Sequence, residues 1–338
     1  MERFEGKIIT TPNGETVIDY GQNLAGYVEF TVNAHKGDKM ILTHGEALDE
    51  NGNFTAENFQ DRKRHKEGGT GQRVIYTCKE GENHYESRFT IWGFRYAKVE
   101  TEMDLSSARF TSIAVYSQMD QLGRFECSNP DVNKLVENSI WSQKSNFCDV
   151  PTDCPTRERA AWTGDMGVFV ETGLFFEDCY SVIRKWLGEC RLNQHEDGKV
   201  ANIAPKNNVP SFFSGLLAGS VGWGDTSIIV PYSLYRRYGN QRILEENYEM
   251  MQKWYHFLES RANSEYAIET GVDYGEWCEP DVDSTMAMRT PQGKVATAYF
   301  ARSGRMLSEI SEILGKRRML HIIVKPQNRH FIQQQNME

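Results

Sequence analysis

Residues 149–165 read DVPTDCPTRERAAWTGD, and they follow closely on a change in sequence pattern at about Phe125. Upstream of Phe125, runs such as Gly26–Val32 (GYVEFTV) alternate apolar and polar residues with the period of a half-buried strand. Downstream of Phe125, apolar residues recur at the three- and four-residue spacings of a helix. The chain is therefore predicted to be multidomain, with a β-segment followed by an α-helical one.

The amino-terminal segment, residues 1–123, is predicted to be a β-sandwich. Its short apolar runs are separated by Gly, Asn and Asp residues, which favour turns between strands. Gly21–Asn23 is predicted to be a turn, and Asp49–Asn53 a loop. The predicted strands are residues 15–20, 26–32, 39–44, 74–78, 88–92 and 96–100.

The second segment, residues 124–316, is predicted to be helical. Asn129 is a favourable residue before a helix, and Pro130 is favoured in a first turn. Further helices are predicted at residues 166–187, 228–238, 243–260 and 294–314. Residues 317–338 are predicted to be an atypical tail, because residues 316–338 contain five Lys and Arg and one Glu in an otherwise acidic chain.

Composition excludes several classes of protein. The 338 residues carry 38 Lys+Arg and 47 Asp+Glu, so the net charge is −9, which disfavours nucleic-acid binding. Hydrophobic residues make up 39% of the chain, which is ordinary for a globular protein. We find no apolar run long enough to span a membrane and no apolar leader, so we expect a cytoplasmic protein. The cysteines form no Cys-x-x-Cys pair, and we expect no metal site and no cofactor.

The chemistry is concentrated in the quoted stretch. Asp153, Glu158, Trp162 and Asp165 occur with two arginines in thirteen residues, in a loop made by two prolines and ending at a helix start. A glutamate near other acids and an aromatic ring can have a raised pKa and act as a general acid. The alternative is a salt-bridged, capped loop with no catalytic role. We favour a site, because acids, arginines and an aromatic converge just before an apolar helix.

Two other short segments repeat this arrangement of an aromatic and an acid in a loop before a helix. Gly222–Asp225 contains Trp223 and Asp225, and Asp225 could either cap the next helix or bind a ligand. Asp273–Trp277 contains Tyr274, Glu276 and Trp277. Together with the central stretch they are typical of a sugar pocket at one end of a helical barrel.

The central stretch resembles the signature of bacterial α-L-rhamnosidases, the inverting glycoside hydrolases of family 78. Segments such as SRFTIWGFRYAKVE, GRFECSNPDVNKL and TPQGKVATAYFARSGRML are also similar to that family, and the resemblance covers roughly residues 10–315. It implies an (α/α)₆ catalytic barrel behind the β-sandwich, and a rhamnose-containing carbohydrate as the substrate.

The same resemblance assigns roles to residues. Glu158 corresponds to the general acid that protonates the departing glycosidic oxygen. Asp153 and Asp165 correspond to acids that bind rhamnose hydroxyls, and the pocket aromatics are Trp162, Trp223 and Trp277. Asp225 is expected to bind substrate beside Trp223. Glu276 is a departure, since the family usually has Asp there.

The barrel is expected to be incomplete. Twelve helices and their loops need on the order of 300 residues, more than residues 125–315 supply. We therefore expect a truncated chain that lacks the family's general base, unless Glu276 or Glu279 replaces it. An open barrel exposes apolar helix faces, so self-association through them is expected. The alternatives to an active enzyme are an inactive fragment that at most binds rhamnose, and a different helical-barrel glycosidase or lyase.

Overall fold

A computed structural model describes residues 2–57, 71–206, 218–280 and 289–316. The chain divides into two compact units. The sheet unit comprises residues 1–118 and 124–159, and the helical unit comprises residues 119–123 and 160–338. The predicted tail, residues 317–338, lies outside the described residues.

The sheet unit is built on one antiparallel sheet with strand order β1-β8-β3-β7-β4-β5, to which β2 and β6 add by pairing with β3. Its core is made of large apolar side chains such as Phe30, Met40, Leu42 and Phe94, which are almost completely buried. The strands are β1 (Arg3–Glu5), β2 (Lys7–Thr10), β3 (Thr16–Ala34), β4 (Lys39–Gly45), β5 (Arg73–Thr77), β6 (Gly81–Glu86), β7 (Trp92–Glu100) and β8 (Arg109–Ala114).

Strand β3 corrects the prediction of two strands separated by a turn at Gly21–Asn23. It is one strand of 19 residues, and its pairing with β7 shifts register between Asp19 and Leu24. Gly21 adopts a φ of 73° there, which a glycine tolerates and which suits a β-bulge. The turn residues therefore bend the strand without reversing it, because β7 pairs with it on both sides of the bulge.

The strand predictions for this unit were also incomplete in other places. Of the strand predicted at residues 88–92, only Trp92 belongs to β7, and Phe89 has a φ of 59° and a fully exposed side chain. Strands β1, β2, β6 and β8 were not predicted, because their short sequences show little apolar alternation.

Helix α1 (Pro130–Asn146) belongs to the sheet unit and packs on β3. The Asn129 side chain accepts a hydrogen bond from the Asp131 amide, and Pro130 occupies the first turn, which confirms the predicted helix start. A two-stranded hairpin of β9 (Phe147–Cys148) and β10 (Val150–Pro151) follows and leads into the central stretch.

The described part of the helical unit contains five helices. Helices α2 and α4 pack together, α4 and α6 pack together, and α3 and α5 both contact α4. The helices α2, α4 and α6 therefore form a row, and α3 and α5 alternate with them along the chain. Their bounds are α2 (Thr163–Phe176), α3 (Tyr180–Leu192), α4 (Thr226–Tyr238), α5 (Arg242–Arg261) and α6 (Gln292–Ile313).

The helix predicted at residues 166–187 is in fact two helices, α2 and α3. Glu177 takes an extended conformation after α2 and pairs with Gln121 in a β-bridge, while the Leu122 amide donates to the Phe176 carbonyl. This pairing with a distant segment ends α2. No described helix is long and apolar enough to cross a membrane.

Candidate active site

The first half of the central stretch is an irregular loop, as predicted, and it belongs to the sheet unit, although the sequence assigned it to the helical segment. Asp149 and Arg159 have φ values of 72° and 49°, which is uncommon for residues other than glycine. Within the loop, the Glu158 amide donates to the Cys154 sulfur at 3.4 Å. Glu158 itself is exposed, and Asp153 is half-buried. The sharp backbone turns therefore present the Glu158 carboxyl to solvent.

Strand β7 and the residues before it support this loop. A Cβ atom at Gly93 would lie 2.5 Å from Cγ2 of Thr156 and 2.9 Å from Cγ of Pro155, so the loop packs directly on the strand backbone. Arg159 Nη1 donates to the Ile91 carbonyl at 2.5 Å. Neither contact was predicted, although the glycine between Trp92 and Phe94 is a sequence signal for close backbone approach.

Glu46, directly after β4, is a further acid near this loop. Burial raises its pKa, and a hydrogen bond with Asn23 and the charge of Arg157 act against that rise. This group was also not predicted. It shows that the sheet unit contributes titratable groups around the loop that carries Glu158.

The second half of the central stretch begins α2 in the helical unit. The Thr163 amide donates to the Asn202 carbonyl at 2.8 Å, and Trp162 forms a β-bridge with Ile203. Asp165 lies in the first turn of α2, where a carboxylate interacts favourably with the helix dipole, and it is exposed. The helix thus begins at Thr163, just before the predicted position.

The three predicted tryptophans meet around one tyrosine. Tyr274 is buried, and its ring centroid lies 5.9 Å from that of Trp162, 4.4 Å from that of Trp223 and 5.3 Å from that of Trp277. Trp162 and Trp277 contact it edge-on, while Trp223 is tilted by 44°. We call these four rings the aromatic cluster. Trp277 is 39% exposed, so the cluster reaches the surface of the helical unit.

Gly164 permits the position of Trp223. A Cβ atom at Gly164 would lie 2.6 Å from Cε2 of the Trp223 indole. Thr226 at the start of α4 also donates from Oγ1 to the Thr163 carbonyl at 2.8 Å. The amino-terminal ends of α2 and α4 are thereby held together beside the cluster.

Asp225 has a different place from the one expected. It is fully buried, and its carboxylate accepts hydrogen bonds from the Gly222 amide at 2.7 Å, Trp254 Nε1 at 3.3 Å and Ser303 Oγ at 2.5 Å. Burial raises its pKa, and the hydrogen bond from Ser303 is the largest opposing effect. Its side chain does not cap α4. Through these hydrogen bonds Asp225 connects the loop containing Trp223 to α5 and α6, so we do not place it among the sugar-contacting residues.

Two acids close to the cluster in sequence, Glu276 and Glu279, differ in their surroundings. Glu276 is exposed. Glu279 accepts a hydrogen bond from the Arg289 amide at 2.7 Å, and its carboxylate lies 3.9 Å from the Arg289 guanidinium. The described residues contain no group of three or more His, Cys, Asp or Glu side chains that could hold a metal ion.

Two family models match the chain. The model of the bacterial α-L-rhamnosidase concanavalin-like domain matches residues 9–116, and that of the bacterial α-L-rhamnosidase six-hairpin glycosidase domain matches residues 120–325. An α-L-rhamnosidase of Streptomyces avermitilis is 33% identical over 91% of this chain and 28% of its own length. One of Formosa agariphila is 31% identical over 93% of this chain and 33% of its own length.

Solved structures agree with these matches. The α-L-rhamnosidase of Dictyoglumus thermophilum superposes with a TM-score of 0.83 at 29% identity, over 96% of this chain and 35% of that one. The S. avermitilis enzyme in complex with L-rhamnose superposes with a TM-score of 0.82 at 31% identity, over 93% of this chain and 29% of that one. The chain thus spans about a third of the length of these relatives. By its sequence and its fold, the chain belongs to the bacterial α-L-rhamnosidase family, a family of enzymes.

Proposed function

We propose that this protein binds terminal α-L-rhamnose of plant glycosides or polysaccharides. It hydrolyses the glycosidic bond of that rhamnose with inversion of configuration at the anomeric carbon. The observation that carries the proposal is the aromatic cluster, in which Trp162, Trp223 and Trp277 surround Tyr274 beside the start of α2. Flat aromatic rings suit the apolar face of a pyranose, and rhamnose adds a methyl group to that face. Asp153 and Asp165 are proposed to bind its hydroxyls.

Glu158 is proposed to be the general acid. Its place on an exposed loop lets it approach a glycosidic oxygen from solvent, and protonation there releases the aglycone. Inversion also needs a base about 6.5–9.5 Å from the acid, on the opposite face of the sugar, to activate a water. Of Glu276 and Glu279, Glu276 is the better candidate for this base, because Glu279 is already paired with Arg289.

The second candidate function is rhamnose binding without hydrolysis. The pairing of Glu279 with Arg289 favours it, because that contact already occupies the carboxylate that a base would have to present to a water. In this alternative the aromatic cluster binds the sugar and no bond is cleaved.

The deciding experiment is hydrolysis of p-nitrophenyl α-L-rhamnopyranoside, together with calorimetric titration by L-rhamnose. In Glu158→Gln, which keeps the side-chain shape but cannot donate an acid proton, we expect the rate to fall about 10²–10⁴-fold. Glu137→Gln is the matched control, since Glu137 is an exposed glutamate on α1 paired only with Lys134 among the described contacts. It should hydrolyse the substrate at the wild-type rate.

The outcomes separate the candidates. Hydrolysis that is lost in Glu158→Gln and kept in Glu137→Gln supports the enzyme. Rhamnose binding by a folded protein without hydrolysis supports the binding function. A folded protein that neither binds rhamnose nor releases nitrophenol contradicts both.

A further inference from the structure

A buried ion pair joins the end of α5 to the segment that carries Tyr274. Arg261 Nη2 lies 2.7 Å from Asp273 Oδ2, and Nη1 lies 3.1 Å from Oδ1, so the contact is bidentate. The two side chains are only 12% and 4% exposed. Arg261 also donates to the Thr270 carbonyl at 2.6 Å. An ion pair buried in this way is costly to desolvate, and its bidentate contact constrains the relative orientation of the two side chains.

Asp273 and its neighbour are fixed to the loop before α4 as well. Asp273 Oδ1 accepts a hydrogen bond from the Val221 amide at 2.8 Å, and the Tyr274 amide donates to Ser220 Oγ at 2.9 Å. Ser220 is fully buried. The same loop continues directly into Trp223. The ion pair therefore couples the backbone that carries Tyr274 to the backbone that carries Trp223.

Tyr274 is the ring that the three tryptophans share. It is 2% exposed, whereas Trp277 is 39% exposed and Trp162 and Trp223 are half-buried. The tryptophans come from three separate segments, and each of them contacts Tyr274. One buried ring is thus in contact with all three tryptophans.

We propose that Tyr274 is a positioning residue that orients the three tryptophans for a deoxyhexopyranose, and that the Arg261–Asp273 pair fixes Tyr274 in turn. This inference rests on the proposed function, because the tryptophans are the sugar-contacting residues there. Tyr274 itself lies too deep to meet the sugar.

The test compares Tyr274→Leu and Tyr274→Phe in the full chain. Leucine removes the ring, so we expect L-rhamnose affinity to fall about tenfold, equivalent to about 1.4 kcal/mol. Phenylalanine keeps the ring and should keep the affinity. Acrylamide quenching of tryptophan fluorescence, measured without sugar, should increase in Tyr274→Leu and not in Tyr274→Phe.

The matched control is Tyr248→Leu. Tyr248 is 4% exposed in the same unit, and its hydroxyl forms a hydrogen bond with Ser311 on α6. Ser311 lies about 28 Å along α6 from Gln292, whose side chain accepts a hydrogen bond from the Asp273 amide, so Tyr248 is far from the aromatic cluster. Its loss should lower the melting temperature while leaving quenching and affinity unchanged. Asp273→Asn adds a test of the ion pair, and we expect it to increase quenching as Tyr274→Leu does.

The two readouts keep this inference separate from the proposed function. If the wild type binds no rhamnose, the proposed function fails, and quenching still decides whether Tyr274 positions the tryptophans. If Tyr274→Leu folds cooperatively with wild-type quenching, or if Tyr248→Leu increases quenching equally, the positioning role is wrong.

Discussion

Gly164 is a residue at which the helical unit has no room for one added methyl group. Its Cβ would lie 2.6 Å from the Trp223 indole, closer than carbon atoms pack. In Gly164→Ala the indole must therefore move. We expect a loss of about 1–3 kcal/mol in unfolding free energy, as for other overpacked cores, and weaker L-rhamnose binding. Urea unfolding and rhamnose titration measure the two effects.

Gly188→Ala is the control for this substitution. Gly188 lies inside α3, and its Cβ would meet only the flexible end of Arg191 at 3.6 Å. Alanine favours a helix interior over glycine, so stability should rise by about 0.5–1 kcal/mol. If both substitutions change stability in the same direction, the close packing of Trp223 on Gly164 does not explain the effect of Gly164→Ala.

His44 makes the sheet unit sensitive to acid. It is fully buried, its ring stacks on Trp92 at 4.3 Å, and its Nδ1 lies 2.9 Å from the Gln72 carbonyl oxygen. Burial lowers its pKa from 6.5 to about 4. Between these values the unfolded chain binds the proton more strongly, so stability is complete above pH 6.5 and falls as the pH drops toward 4. At 1.36 kcal/mol per pH unit the full effect is about 3 kcal/mol.

Replacing His44 by phenylalanine keeps a ring against Trp92 and removes the titrating group. The fall in unfolding free energy between pH 6.5 and 4 should be smaller in His44→Phe than in the wild type, measured by urea unfolding across that range. His84→Phe, on an exposed position of β6, should retain the wild-type pH dependence. An unchanged dependence in His44→Phe would show that other groups cause the acid sensitivity.

At the scale of the elements, periodicity predicted the type of structure and failed where a distant segment decides the outcome. Apolar spacing predicted the bounds of α4, α5 and α6 to within two residues at each end. The bulge in β3 depends on β7 pairing on both sides of Gly21, and the break between α2 and α3 depends on Gln121 pairing with Glu177. Such partners lie far away in sequence, so a local pattern cannot reveal them.

An ion-pair network joins α3 to α5. Arg184 donates two hydrogen bonds to Glu246, at 2.9 and 2.6 Å, and Arg242 donates another at 2.7 Å. The hydrogen bonds from Arg184 are the largest effect that lowers the pKa of Glu246, which falls from 4.5 to about 2. This stabilisation is present above pH 4.5 and is lost as the pH falls toward 2.

In Glu246→Gln we therefore expect unfolding free energy to fall by about 1 kcal/mol at pH 7, the scale of a bidentate, partly buried pair. The difference from the wild type should shrink as the pH drops through 4.5 toward 2. Glu249→Gln is the control on the same helix, because Glu249 is 80% exposed and pairs with Lys253. An equal loss in that variant would argue against a specific link between α3 and α5.

At the scale of the whole chain, the sequence predicted which aromatic residues meet better than it predicted what supports them. Trp162, Trp223 and Trp277 were predicted and do meet. Tyr274, which contacts all three, lies in a segment that the sequence analysis singled out. The residue type alone does not show whether its ring is buried or exposed. The sequence predicted that Asp225 binds substrate, whereas the structure buries it in hydrogen bonds with α5 and α6. Only the packing of those two helices against Asp225 distinguishes the two roles.

Helix α2, at one end of the row of α2, α4 and α6, presents apolar side chains to solvent. Val168 and Phe175 are seven residues apart on α2, and they are 79% and 50% exposed. Near Phe175 a cavity of about 580 Å³ is lined by Leu174, Met306 and charged residues that include Arg236. Exposed apolar faces of this kind favour contact with another molecule, so self-association through this face remains our prediction.

Sedimentation velocity over a range of protein concentrations tests the predicted self-association. The wild type should show a sedimentation coefficient that rises with concentration, and the double variant Val168→Lys/Phe175→Lys should lose that rise, because a lysine on the face must be desolvated for contact. Leu192→Lys is the matched control, since Leu192 is 82% exposed at the end of α3. If Leu192→Lys abolishes association equally, or if the wild type stays monomeric throughout, the α2 face is not the surface through which copies meet.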